Sequence, residues 1–267
     1  MDKDSTISLH TGNEMPVMGL GTWELTQDTA GAVALALALG YRLIDTSSDY
    51  GTQPGIGEGR KESNIDRKSL YIVTKVEEMD DAYERTKSNM QELGLDYVDL
   101  MLLHRPPPTG AGEELWEGLI RAKKEGLTRD IGVSNYPMAL IETLIELSGE
   151  VPAVNQIEWS PFGYSREMTQ YCKEKNIVIQ AYSPLTRRKR LNDRMLMQVA
   201  GKYHKSTAQI LIRWNLQLGT VPIPKANQSK HLKENIDVFD FELDEDDMRL
   251  LSSRNEQYSS LGSLPYV

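Results

Sequence analysis

A chain of 267 residues with 39% apolar, 26% charged and 7% aromatic content has the composition of a globular protein, which excludes disordered and fibrous classes. Thirty basic against 39 acidic residues give a formal charge of -9, so the surface repels phosphate backbones and nucleic acid is not an expected partner. A single cysteine, Cys172, excludes an internal disulfide and the cysteine clusters of structural zinc or iron–sulfur centres.

From the N-terminus, two short apolar runs flank Thr11-Gly12-Asn13-Glu14 and predict a β-hairpin with a Gly-Asn turn ahead of the main sheet. Eight apolar or β-branched runs then read as strands, at 17–21, 41–45, 70–74, 98–103, 130–133, 153–157, 178–181 and 221–223. Between and after them, helical periodicity covers 28–39, 80–93, 113–124, 137–147, 167–174, 207–218 and 229–235, with a weak pattern at 57–63. A further helix at 193–203 enlarges the connection after the seventh strand, and 252–267 has no clear period. Ser206 or Thr207 supplies an N-cap oxygen, while Gly94, Gly126 and Gly219 stand where helices end in left-handed geometry.

Eight strand–helix repeats without a Pro/Gly/Ser-rich linker fit an α/β chain folded as a (β/α)8 TIM barrel with an N-terminal β-hairpin, residues 1–267 forming a single domain; the typical size of that fold is ~250 residues. A doubly wound dinucleotide fold is the alternative, since Gly19-x-Gly21 follows a strand and Asp45 ends the next. The third glycine of that fingerprint is replaced by Glu24, whose charge would oppose a pyrophosphate. Gly51, Gly55, Gly57 and Gly59 lack the Gly-Lys-Ser/Thr of a P-loop and are expected to form a mobile covering.

In a barrel, chemistry sits at the C-terminal strand ends. Strands two, three and four end in Asp45, Lys75 and His104, so these ionisable groups share one rim, and Tyr50 follows Asp45 by five residues on the same loop. A tyrosine has a reference pKa of ~10, and a nearby ammonium favours its phenolate. On this reading Asp45 holds Lys75 charged, Lys75 brings Tyr50 closer to working pH, and neutral His104 hydrogen-bonds a substrate oxygen. The set is a proton donor for a carbonyl oxygen. Of four histidines only His104 is at a strand end, so no metal site is expected.

The motifs Gly19-Leu20-Gly21-Thr22-Trp23, Asp45-Thr46-Ser47-Ser48-Asp49-Tyr50-Gly51, Thr74-Lys75, Leu103-His104-Arg105-Pro106, Gly132-Val133-Ser134-Asn135-Tyr136, Asn155-Gln156-Ile157-Glu158-Trp159, Ala181-Tyr182-Ser183-Pro184-Leu185 and Ile223-Pro224-Lys225 occur in this order. In them the chain resembles the aldo-keto reductases, nicotinamide-dependent barrel oxidoreductases. The resemblance implies an NAD(P)H-dependent enzyme that reduces aldehydes, ketones and small dicarbonyl compounds to alcohols. It makes Asp45, Tyr50, Lys75 and His104 a catalytic tetrad, with Tyr50 the general acid and hydride coming from nicotinamide C4. It assigns the nicotinamide to Asp45, Ser134, Asn135, Gln156 and the ring of Tyr182, and the pyrophosphate to Ser183 and Leu185. Lys225 would meet the 2′-phosphate of NADPH, Glu234 and Asn235 the adenine, and Thr22 and Trp23 both cofactor and substrate.

Two positions depart from that pattern. Ala226 and His231 stand where many members carry Ser and Arg; an imidazole stacks but brings little charge, so NADPH is expected through Lys225 while NADH stays open. Arg105 replaces a common Trp at the substrate mouth, where it either recognises anionic carbonyl compounds or pairs with an acidic neighbour. With Trp23, Tyr50 and His104 it completes the expected substrate contacts. Residues 106–112 and the tail are short, which implies an open pocket, and Arg187 to Arg190 form either an anion-binding loop or a solvated face. The lack of a long apolar run, a mean hydropathy of -0.46 and the acidic start Met1-Asp2-Lys3-Asp4 lead us to expect no membrane association and a cytoplasmic location. No exposed heptad calls for a second copy, so a monomer is expected. The rival reading is a nicotinamide-binding regulatory or redox-sensing protein without turnover.

Overall fold

A computed structural model describes residues 1–25 and 27–266. The chain opens with an antiparallel hairpin, β1 (Thr6–Ser8) and β2 (Glu14–Pro16), in which Ile7 faces Met15. Its connection is longer than a two-residue Gly-Asn turn. The Leu9 N–H donates to the Asn13 carbonyl and the Gly12 N–H to the Leu9 carbonyl, both at 2.9 Å, with Gly12 at φ +87°. Leu9 and Met15 are buried among Leu43, Tyr71, Leu100, Val154 and Val178, so the hairpin plugs the N-terminal end of the barrel that follows.

That barrel has eight strands: β3 (Gly19–Gly21), β4 (Leu43–Asp45), β5 (Tyr71–Val76), β6 (Val98–Leu103), β7 (Thr128–Ser134), β8 (Val154–Glu158), β9 (Val178–Tyr182) and β10 (Val221–Pro222). Each pairs in parallel with its sequence neighbour, which is the order a right-handed succession of βα units produces. The Gly21 N–H reaches the Pro224 carbonyl at 3.3 Å and brings the last strand against the first, giving a nearly closed (β/α)8 barrel. Only glycine fits at that seam, because a Cβ on Gly21 would lie 2.7 Å from the Ile223 carbonyl oxygen.

Side chains alternate across each strand with period two, which sorts them into two apolar clusters. Leu43, Val73, Leu100, Leu102 and Val154 point inward above the hairpin. Ile44, Ile72, Met101, Leu103, Ile131, Ile157 and Ile179 point outward beneath the helices. Those helices are α1 (Thr29–Leu39), α2 (Gln53–Ser63), α3 (Ala82–Leu93), α4 (Glu113–Lys124), α5 (Met138–Ser148), α6 (Arg166–Lys175), α7 (Arg194–Tyr203), α8 (Thr207–Gln217), α9 (Ser229–Ile236) and α10 (Glu245–Ser252). Ser206 caps α8 in a full capping box with Gln209.

Two segments differ from expectation. The glycine-rich stretch is helical: in α2 a Cβ on Gly55 would lie 2.6 Å from Thr29 Cβ, and one on Gly57 would lie 2.6 Å from the Leu93 carbonyl oxygen. Gly55, Gly57 and Gly59 serve close packing against α1 and α3 and belong to no covering loop, while Gly51, at φ +67°, ends the turn before α2. The helix α10 has no counterpart in the periodicity, although Asp244 caps it and Glu245, Asp246 and Asp247 fill its first turn, where carboxylates favour the helix dipole.

Candidate active site

At the C-terminal rim the inward-facing residues change from apolar to polar. Lys75, fully buried on β5, donates from Nζ to both carboxylate oxygens of Asp45 at 3.0 Å and to the Thr46 carbonyl at 2.6 Å. Three acceptors in one dry pocket compensate for burying the ammonium. Gln156 Nε2 donates to Asp45 Oδ1 and to Gln180 Oε1, each at 2.6 Å, so the carboxylate is also held from the opposite wall of the barrel.

Tyr50 ends a single 3-10 turn, Ser48–Tyr50, that folds back over this pair. The Lys75 ammonium lies 4.8 Å from the centre of the Tyr50 ring, and the His104 ring meets it edge-on at 5.7 Å. Asp45, Tyr50, Lys75 and His104 therefore converge on one mouth. Crowding by protein, followed by the charges of Asp45, Asp49 and Glu77, pushes the Tyr50 hydroxyl well above its ordinary value, with Arg105 opposing. The Lys75 ammonium is committed to Asp45 and Thr46.

The residue that the sequence reading missed is Glu77. Its two carboxylate oxygens each lie 2.8 Å from His104 Nδ1, and it accepts a 2.8 Å hydrogen bond from the Ser47 hydroxyl. Burial pushes the Glu77 carboxyl up, but the bonds from His104 and Ser47 outweigh it and hold the group below its ordinary value. A carboxylate only accepts, so Nδ1 carries the proton, and a neutral His104 then has a bare Nε2. The available signal was spacing: Glu77 lies two residues beyond Lys75, on the same side of the strand's path.

These groups open onto a cleft of about 780 Å³, within the size range of small-molecule and cofactor sites. Ser134, Asn135, Gln156, Tyr182, Ser183 and Leu185 line it, as do Trp23 and Lys225. Asn135, at φ +63°, donates to the His104 carbonyl at 3.1 Å and accepts from the Tyr182 hydroxyl at 2.8 Å, which fixes the aromatic wall. Arg187 stacks 3.9 Å over Trp23, and Lys225 donates to the Glu24 carbonyl at 3.1 Å.

Four predicted cofactor residues are not on this wall. The Thr22 hydroxyl is buried on the Asp45 carbonyl at 2.9 Å, so it braces the strand end. His231, Glu234 and Asn235 lie on α9 outside the cleft; His231 Nδ1 faces Glu234 at 3.4 Å, and Asn235 is buried.

The basic run divides. Arg187 and Arg188 line the cleft, whereas Arg190 pairs with Glu256 at 3.0 Å and stacks over Tyr258. Arg105 also lines the cleft and, among the described residues, has no ion-pair partner, so the pairing alternative is not met. The expected openness is reduced by the tail, since Leu261, Ser263 and Pro265 wall the cleft. The tail is anchored by buried Glu158, which accepts the Ser260 N–H at 2.7 Å, the Ser259 hydroxyl at 2.6 Å and the Ser260 hydroxyl.

A buried lysine–carboxylate pair under a tyrosine and a histidine, at the C-terminal rim of a (β/α)8 barrel and beside a cleft of this size, is the candidate active site of a barrel enzyme. The chain belongs to the aldo/keto reductase family, whose model matches residues 17–256. It is 40% identical over 259 residues to the uncharacterized oxidoreductase YtbE of Bacillus subtilis, covering 93% of this chain and 92% of that protein. It is 38% identical over 257 residues to the glyoxal reductase of the same organism, covering 94% and 93%. Among solved structures it superposes on the Bombyx mori aldo-keto reductase in complex with NADP with a TM-score of 0.89 at 32% identity, covering 96% and 94% of the two chains. It superposes on MGS-M4, an aldo-keto reductase from a Medee basin deep-sea metagenome library, with a TM-score of 0.93 at 34% identity, covering 98% and 99%. The protein is accordingly an NAD(P)H-dependent oxidoreductase of the carbonyl-reducing class.

Proposed function

We propose that this protein reduces small aldehydes, ketones and dicarbonyl compounds with NADPH, using Tyr50 as the general acid. The observation that carries the reading is the Tyr50 hydroxyl, held protonated at the cleft beside His104 and above the Lys75–Asp45 pair. The reduced nicotinamide, when bound, supplies a hydride to the carbonyl carbon and is oxidised. As the C=O π bond breaks, its electron pair moves to oxygen, which takes the Tyr50 proton; solvent returns a proton to the phenolate. Help of this kind is typically worth ~10² to 10⁴ in rate.

The residues present suit a dinucleotide. Ser134, Asn135 and Gln156 offer polar groups at the inner end of the cleft, Tyr182 an aromatic face, and Arg187, Arg188 and Lys225 cations for phosphates. Lys225 is on the cleft wall and His231 is not, which favours Lys225 as the cation for the 2′-phosphate of NADPH. Arg105 would receive a carboxylate or phosphate on the substrate, and the glyoxal reductase relative favours dicarbonyls as the first substrates to try. The charge of -9 supports action on small molecules without nucleic acid.

The test is an absorbance assay of NADPH and NADH oxidation with glyoxal, methylglyoxal and simple aldehydes, wild type beside Tyr50→Phe. Turnover by wild type, with a loss of ~10²-fold or more in a Tyr50→Phe protein that still binds cofactor, supports the reading. Cofactor binding without turnover by either protein replaces it with the regulatory one.

A further inference from the structure

We infer that Glu77 is a positioning residue that commits His104 to act as an imidazolium, so that the carbonyl oxygen meets a second proton donor beside Tyr50. The inference rests on the proposed carbonyl reduction and adds a residue and a proton to it.

The geometry leaves His104 few options. Its Nδ1 faces both Glu77 oxygens at 2.8 Å, with Ser47 Oγ at 3.4 Å and Asp49 Oδ1 at 3.8 Å, and the Ser47 hydroxyl donates to Glu77 Oε1 at 2.8 Å, which holds the carboxylate in place. Nε2 has no protein partner among the described residues, and His104 lines the cleft while Glu77 does not. The carboxylate thus binds the far side of the ring and leaves Nε2 for a ligand. A carbonyl oxygen can receive a hydrogen bond only from a protonated Nε2, and with Nδ1 also protonated the ring is cationic. The surroundings favour that charge: Asp49 from the Ser48–Tyr50 turn and Glu77 beyond β5 are both acidic, and the tyrosine facing the ring is neutral. Two cations stand against it. Lys75 is compensated by Asp45 in the layer below, and Arg105 is adjacent in the chain and open to solvent, where its field is screened. Removing the proton from Nε2 would turn a donor into a lone pair facing the developing alkoxide, so the reaction should slow as the ring loses its charge.

Two measurements test this. In long-range ¹H–¹⁵N spectra of the free wild-type protein, recorded against pH with a His104→Gln spectrum identifying the signals, His104 should be imidazolium at low pH and pass to the tautomer protonated on Nδ1. A neutral form protonated on Nε2 overturns the inference whether or not the enzyme turns over any carbonyl compound. In the assay above, wild-type kcat/KM should fall as pH rises through the His104 titration seen by NMR. Glu77→Gln should move that fall to lower pH and lower kcat by ~10²-fold at neutral pH, the lower end of what a positioned proton donor supplies, with KM for NADPH unchanged. Superimposable pH profiles for wild type and Glu77→Gln overturn it. Should Glu77→Gln fail to fold, the wild-type spectra decide alone: the tautomer protonated on Nδ1 supports the inference and the one protonated on Nε2 overturns it. If wild type reduces nothing while its spectra are as expected, the proposed function fails and the Glu77–His104 assignment stands.

Discussion

At the scale of single residues, Arg105 is the side chain whose role the tertiary structure narrows most. A guanidinium on the cleft wall with no ion-pair partner among the described residues can bind a substrate carboxylate, but in a partly solvated site such a pair is worth only ~1 kcal/mol. Arg105→Gln should therefore raise KM for carboxylate-bearing carbonyl compounds by about fivefold and leave uncharged aldehydes unchanged, a pattern read from steady-state kinetics on matched pairs. Cys172 makes the opposite case. Burial on α6 pushes its thiol up to about 12, so thiol reagents at pH 8 should not label the native protein, and labelling should appear only as urea unfolds it. Lys75 and Asp45 were both readable as strand-end residues, but the dominance of Asp45 in holding the ammonium depends on contacts from Thr46 and Gln156 that span 29 and 111 residues of chain.

Among the elements, α2 is where composition misleads most. Three glycines within eleven residues suggest a loop, because each weakens a helix by ~1 kcal/mol relative to alanine. Here that cost is offset by close approach to α1 and α3, which any side chain would prevent. Gly57→Ala, which ordinary helix propensity marks as stabilising, should destabilise by ~1 to 3 kcal/mol, since the obstruction is the Leu93 backbone carbonyl; urea unfolding measures the sign. The tail is the second such element. It has no period to read, and its order comes from Glu158, Phe162 and Tyr164 on the barrel side. Glu158→Ala should free it, which limited proteolysis would show as new cleavage after residue 252.

For the whole molecule, the pH dependence of stability at the alkaline side is set by buried tyrosines. Burial raises the hydroxyls of Tyr41, Tyr71, Tyr136 and Tyr266 above their ordinary value. The folded chain keeps these protons where the unfolded chain, with tyrosines near ~10, has released them. Their contribution is thus complete below pH ~10 and is lost as pH rises beyond it; the buried Cys172 thiol, which the unfolded chain releases near ~8.5, adds an earlier loss, so unfolding free energy should decline gently from pH ~8.5 and fall steeply above ~10. Urea titrations across that range check the sign. The protein should also elute from a sizing column as a 30.2 kDa monomer, since the charge of -9 favours mutual repulsion.

By itself the sequence determined the eight alternating units, nearly every helix and the four rim residues, because strand and helix periods and their caps are local properties of the chain. It also determined the family, through motifs placed at strand ends. Only the tertiary structure decided what those rim residues do to one another. Which acceptors the Lys75 ammonium meets, which side chains stand near Arg105, and that Glu77 faces His104 Nδ1 are all questions of distance across a nearly closed barrel. Such distances are fixed by β-strand register and by backbone approach at Gly21 and Gly57, which join parts of the chain that no local pattern connects.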